Sequence, residues 1–182
     1  SSAGSAAAVA SGEADLALGT DTLGSVRIPA SYCGVVGYVP SAGHIDMTGV
    51  TPLAPSFDRV GFFARTVQEM IAFTDSRSGS DPGLPIHVLT RNPHVLPAAS
   101  RQKGKVSLIE TDFDWGALRR AMLLQVEVEA APLLLPLPGL SEPLRAAMEF
   151  GKNAAPERLA RAKATMESAR KLFKEWIRSG LL

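Results

Sequence analysis

A single cysteine, Cys33, leaves no partner for an internal disulfide, so no covalent framework is expected and a reducing compartment fits. The three histidines, His44, His87 and His94, are dispersed, and no Cys and His cluster has a metal-ligand spacing. A structural metal is therefore not expected. No run of about 18 apolar residues is present, which excludes a membrane-spanning helix in this sequence. The opening residues are small and polar instead of basic and then apolar, so no secretory leader is expected. Charge of one sign is scarce too: 19 basic and 18 acidic side chains give a net +1, which offers nothing to a nucleic acid or another polyanion. A late basic cluster, including Arg158, Arg161, Lys171 and Lys174, is interleaved with Glu157, Glu167 and Glu175, as on a solvated helix face. A cytoplasmic protein is expected, and a homodimer is allowed for.

What is present is the composition of a globular protein: 182 residues, 46% hydrophobic and 20% charged. Ala6-Ala7-Ala8-Val9-Ala10 suits a closely packed helix closed by Gly12. Asp15-Leu16-Ala17-Leu18 reads as a short buried strand, and the residues from Gly19 to Ser25 read as a loop beyond its end. Pro29 fits the first turn of a short helix through Ala30 and Tyr32, and Gly34 to Pro40 reads as a strand. Thr66, three residues before Glu69, has capping-box spacing for a helix reaching about Phe73. A turn-rich connector from Ser76 to Pro85 follows, then a strand from Lys105 to Glu110 and a helix from Trp115 to Ala130. The run Pro132 to Pro143 breaks that helix and forms a boundary or rim loop. From Pro156 to Arg178, residues Leu159, Ala162, Met166, Ala169, Phe173, Trp176 and Ile177 make one apolar stripe, stopped at Gly180. The alternation of helices and strands predicts an α/β domain with a mixed β-sheet core covered by helices.

Serine attacks a carbonyl only when a base takes its proton, and the charged intermediate needs donors already in place. Ser25 follows Thr22-Leu23-Gly24 at the start of a short helix, where successive backbone amides can converge on one oxygen. Taken alone, Gly24-Ser25 reads more readily as a turn and a helix cap than as a nucleophile loop.

Two segments change that balance: Ser1-Ser2-Ala3-Gly4-Ser5-Ala6-Ala7-Ala8 and Gly19-Thr20-Asp21-Thr22-Leu23-Gly24-Ser25-Val26-Arg27-Ile28-Pro29. Together they closely resemble the signature of the amidase signature family, and the similarity continues through Gly49 to Gly61 and Ala64-Arg65-Thr66-Val67. It covers roughly the first 70 residues and is diffuse beyond about residue 80. The resemblance implies a Ser-Ser-Lys triad in which a neutral lysine deprotonates a relay serine, which deprotonates the nucleophile. On the matching positions Ser25 is the nucleophile and Ser1, 24 positions earlier, is the relay. It further implies an oxyanion hole from the amides of Thr22, Leu23, Gly24 and Ser25, with Ser2 supporting the relay and Asp21 and Arg27 bracing the loop. The implied domain is a single one of the amidase signature fold, its signature core at 1–76 and its variable rim and C-terminal helical part at 77–182. Its substrate would be a small-molecule amide, and no cofactor is needed.

The family's lysine lies upstream of the relay serine, and the resemblance therefore implies a preceding segment of the same protein. Lys103, Lys105, Lys152, Lys163, Lys171 and Lys174 lie downstream and match no such motif. Leu23 replaces a glycine common in the family, and Ala3 departs from its Ser-Ser-Gly-Gly pattern. With Ser31-Tyr32-Cys33 and Ser56-Phe57-Asp58, Leu23 points toward plant-type indoleacetamide hydrolases and their chloroplast import-receptor relatives, and so toward small arylacetamides. That branch also supplies an alternative, a catalytically silent amidase-like binding platform. A third reading is the amidase component of a tRNA-dependent amidotransferase, disfavoured because Arg27-Ile28-Pro29 stands where Arg-Gln-Pro is expected. A Ser-His-Asp triad on His44, His87 or His94, or a Cys33 nucleophile, finds no supporting context.

Overall fold

Small side chains decide how the chain's first helix packs. Helix α1 (Ala3–Ser11) has no large residue, and Ala6 and Val9 are fully buried against Val26, Ala30 and Phe63. Gly12 closes it in the left-handed conformation at φ 82°, its N–H donating to the Val9 carbonyl, as the sequence leads one to expect. Strand β1 (Leu16–Asp21), helix α2 (Arg27–Cys33), strand β2 (Val36–Tyr38), strand β3 (Arg59–Ala64) and helix α3 (Val67–Thr74) follow. This computed structural model describes residues 1–74, 86–88, 106–108 and 111–178.

The three strands form an antiparallel sheet in the order β1-β3-β2, with β3 central. Successive side chains of a strand point to opposite faces, so Phe63 joins the α1 and α2 side while Phe62 packs with Ala64 and Met70 of α3. Both faces are covered, and Gly61 to Ala64 are all buried. The sequence places Gly19-Thr20-Asp21 in a loop, but pairing with Gly61, Val60 and Arg59 extends β1 through Asp21. Tertiary pairing overrides the turn tendency of glycine there. The loop that carries Ser25 is correspondingly short, starting at Thr22. The capping box forms as read: Thr66 N–H donates to Glu69 Oε2 at 3.0 Å, and Glu69 N–H donates to Thr66 Oγ1 at 3.2 Å.

Strands β4 (Ile86–Val88) and β5 (Val106–Leu108) pair in parallel, and β5 falls inside the strand expected at 105–110. Helices α4 (Trp115–Leu134), α5 (Glu142–Lys152) and α6 (Pro156–Arg178) complete the described chain. Helix α4 runs through Pro132, where the sequence predicts a break. The proline removes one hydrogen bond near the helix end, and burial of Ala130 and Ala131 against Met148 of α5 outweighs that loss. Within the expected rim loop, Ser141 instead precedes α5, with Pro143 in its first turn. Helix α6 has the expected bounds and buries Ala162, Met166, Ala169 and Trp176, but Ile177 is 60% exposed and leaves the stripe. Phe173 and Trp176 pack on Trp115, with ring centroids 5.9 and 6.3 Å from it. The connector at 76–85, the stop at Gly180, and the positions His94, Lys103 and Lys105 lie outside the described residues.

The chain divides into two compact units, Ser1–Arg77 with Val126–Asn153, and Ser78–Gln125 with Ala154–Leu182. All the site residues named from the sequence belong to the first. Among the described residues, no helix is long and apolar enough to cross a membrane.

Candidate active site

Asp21 is the last residue of β1, and its side chain organises everything up to α2. Its Oδ1 accepts the Gly24 amide at 2.8 Å, and its Oδ2 accepts the amides of Val26 at 3.1 Å and Arg27 at 3.3 Å. The Arg27 guanidinium adds Nε to Oδ2 at 3.0 Å and Nη2 to Oδ1 at 2.8 Å. One carboxylate thus folds six residues around itself. Burial alone would raise its pKa; the Arg27 side chain and then the amides of Val26, Arg27 and Gly24 overcome that, bringing it to about 2. The same contact raises the Arg27 pKa, against the opposing effect of burial.

The backbone path forced on this loop needs glycine. Gly24 has φ 123°, a left-handed value that side chains rarely adopt. The Ser25 carbonyl accepts the Ser2 N–H at 3.1 Å, so the start of α1 is fastened to the nucleophile candidate. Ser2 Oγ donates to the Thr20 carbonyl at 3.3 Å and accepts the Thr20 N–H at 3.2 Å, which ties the same turn to β1. Gly19 leaves room for this: a Cβ there would stand 2.5 Å from Ser2 Oγ. Ser2, Asp21, Ser25 and Arg27 therefore belong to one hydrogen-bonded neighbourhood, in which Ser25 is half-buried; Ser1, next to Ser2 in the chain, is exposed and has no hydrogen bond to them among the described residues.

Among the described residues, the amides of Thr22, Leu23 and Ser25 donate to no protein acceptor, whereas that of Gly24 is taken by Asp21. Three unengaged N–H groups around a serine can stabilise an oxygen that gains negative charge.

The sequence names Asp58 only within the Ser56-Phe57-Asp58 resemblance and assigns it no role; it is 7% exposed and accepts the Thr22 hydroxyl at 2.6 Å. Beyond that resemblance, its sequence signal is an acidic residue directly before the β3 strand.

Cys33 is partly buried at the end of α2 and His44 lies on an exposed stretch. Neither has a hydrogen bond to the residues of the Ser25 loop among the described residues.

The family model described as Amidase matches residues 1–131. Amidase 1 of Arabidopsis thaliana is 60% identical over 65 residues, 36% of this chain and 15% of that protein. A glutamyl-tRNA(Gln) amidotransferase component from a Picosynechococcus strain is 41% identical over 121 residues, 64% of this chain and 25% of that protein. A crystal structure of an amidase superposes with a TM-score of 0.77 at 29% identity, covering 92% of this chain and 44% of that one. The chain thus spans about a quarter of the length of the amidotransferase components it matches.

Proposed function

The chain belongs to the amidase family, and from that premise we propose that it carries the nucleophile of a serine amide hydrolase, with Ser25 as the attacking residue. The observation that supports this best is the division of labour among the loop amides. Asp21 draws in those of Gly24, Val26 and Arg27, and those of Thr22, Leu23 and Ser25 are left for an oxyanion. In this reading Gly24 shapes the hole, instead of donating to it.

Ser25 Oγ attacks the amide carbonyl, and its proton passes to Ser1, which returns a proton to the departing nitrogen. Water then attacks the acyl-enzyme and releases the carboxylic acid. The base that keeps Ser1 in play is a lysine from an upstream segment of the same protein. Ser2, next to the relay serine, is bonded to Thr20 and Ser25 and so supports the relay, and Asp21 with Arg27 fixes the loop. Donors of this kind contribute on the order of 3 kcal/mol each to transition-state stabilisation. Small arylacetamides are the proposed substrates, in the cytoplasm and without a cofactor.

A second reading, the amidase component of a tRNA-dependent amidotransferase, is favoured by the 41% identity to a protein of that kind. There the released nitrogen would be passed on instead of lost to water. Both readings need the Ser25 nucleophile, and they part on what becomes of the released nitrogen.

The test is intact-mass analysis of the protein with and without a fluorophosphonate, followed by peptide mapping. One adduct at Ser25, and loss of amide turnover in a folded Ser25→Ala protein, are expected. Full turnover in Ser25→Ala would sink both readings, and an unlabelled Ser25 in a protein that contains the upstream lysine would favour the silent platform.

A further inference from the structure

The β1 and β3 register continues past the last paired residues of the sheet. Leu16 stands opposite Ala64 and Asp21 opposite Arg59, so one further step along each strand sets Thr22 opposite Asp58. Thr22 opens the loop of Ser25, and Asp58 closes the turn that leads into β3. Their side chains meet there, the Thr22 hydroxyl donating to Asp58 Oδ1 at 2.6 Å.

Asp58 is itself held fast. Its Oδ2 accepts the amides of Leu53 and Ala54, both at 2.8 Å, and its own N–H donates to the Ala54 carbonyl at 2.9 Å. Arg59 Nη1 donates to the Asp58 carbonyl at 2.6 Å. Ser56, in the same turn, gives its amide and hydroxyl to the two carboxylate oxygens of Glu129 on α4. The turn is therefore a fixed point, and the start of the loop is attached to it by one hydroxyl. At 7% exposure of Asp58, water is poorly placed to substitute for that hydroxyl.

We infer that Asp58 is a positioning residue which, through the hydroxyl of Thr22, sets the direction of the Thr22 and Leu23 amides in the oxyanion hole. The inference rests on the reading of Ser25 as nucleophile. The loop then hangs between two carboxyl groups, Asp21 gripping residues 24, 26 and 27 and Asp58 gripping residue 22, with the unengaged amides between them. Asp58 touches no reacting atom; a misdirected amide is what its loss would produce, and small errors in donor placement are costly.

The test compares Thr22→Val, which keeps the shape and removes the hydroxyl, with Thr22→Ser, which restores it. The readout is the rate of fluorophosphonate adduct formation at Ser25 in the protein with its upstream segment. In Thr22→Val the maximal rate should fall about 10- to 100-fold with the half-saturating probe concentration unchanged. In Thr22→Ser it should return to within about threefold of the parent. A parental maximal rate in Thr22→Val overturns the inference, even if thermal stability drops, and so does a Thr22→Ser protein as slow as Thr22→Val. Either result with the parent labelled at Ser25 leaves the nucleophile assignment standing. A parent that forms no adduct at Ser25, with full turnover in Ser25→Ala, removes the assignment and this inference together.

Discussion

Asp21 and Arg27 form an ion pair with one member inside the protein and the other in water: the Asp21 side chain is 2% exposed and that of Arg27 is 61% exposed, at 2.8 Å separation. The asymmetry means that the two residues do different amounts of structural work. Asp21 also satisfies three backbone amides of the loop, whereas the Arg27 guanidinium has solvent as an alternative partner.

Removing either residue should therefore cost unequal amounts. Asp21→Ala leaves three amides without their acceptor and is expected to destabilise the protein by about 3 kcal/mol or more. Arg27→Ala keeps those three bonds and should cost about 1 kcal/mol. Urea unfolding of the two variants checks the order, and equal losses would show that the pair acts only as a charge contact.

The same carboxylate sets an acid limit. Its folded pKa of about 2 lies below the ordinary value of 3.8, so the folded state binds its proton less readily than the unfolded chain. The stabilisation is complete above about pH 4, and it is lost as pH falls from there through about pH 2. The shift corresponds to about 2 kcal/mol. Denaturation midpoints measured across this window should fall with pH in the parent and be flatter in Asp21→Asn. Parallel curves would assign the acid sensitivity to other carboxylates.

At Gly24 the backbone, and not the neighbouring side chain, should decide the outcome of substitution. A Cβ would stand 2.7 Å from Ile28 Cδ1, but Ile28 is 54% exposed and can swing away. The φ of 123° offers no such escape, so Gly24→Ala should lose about 1–3 kcal/mol of stability and slow Ser25 labelling. Adding Ile28→Ala should restore neither. Recovery in the double variant would mean that the side-chain clash was the cause.

The sequence alone was sufficient for several features that depend on neighbours along the chain. The Gly12 stop of α1, the Thr66 and Glu69 capping box and the α6 bounds from Pro156 to Arg178 are short-range events, set by backbone freedom, reciprocal caps and helical spacing. The family, too, was legible in the residues around Ser1 and Ser25, since that likeness is carried by side-chain order. What lies far apart in the chain was left to the tertiary structure. Pairing with β3 extended β1 through Asp21 and shortened the Ser25 loop. Packing of Ala130 and Ala131 on Met148 carried α4 past Pro132. The choice of Asp58 as acceptor for the Thr22 hydroxyl 36 residues away follows from burial. A buried polar group takes whichever partner the fold brings within reach, and that partner is fixed only when the strands have found their register.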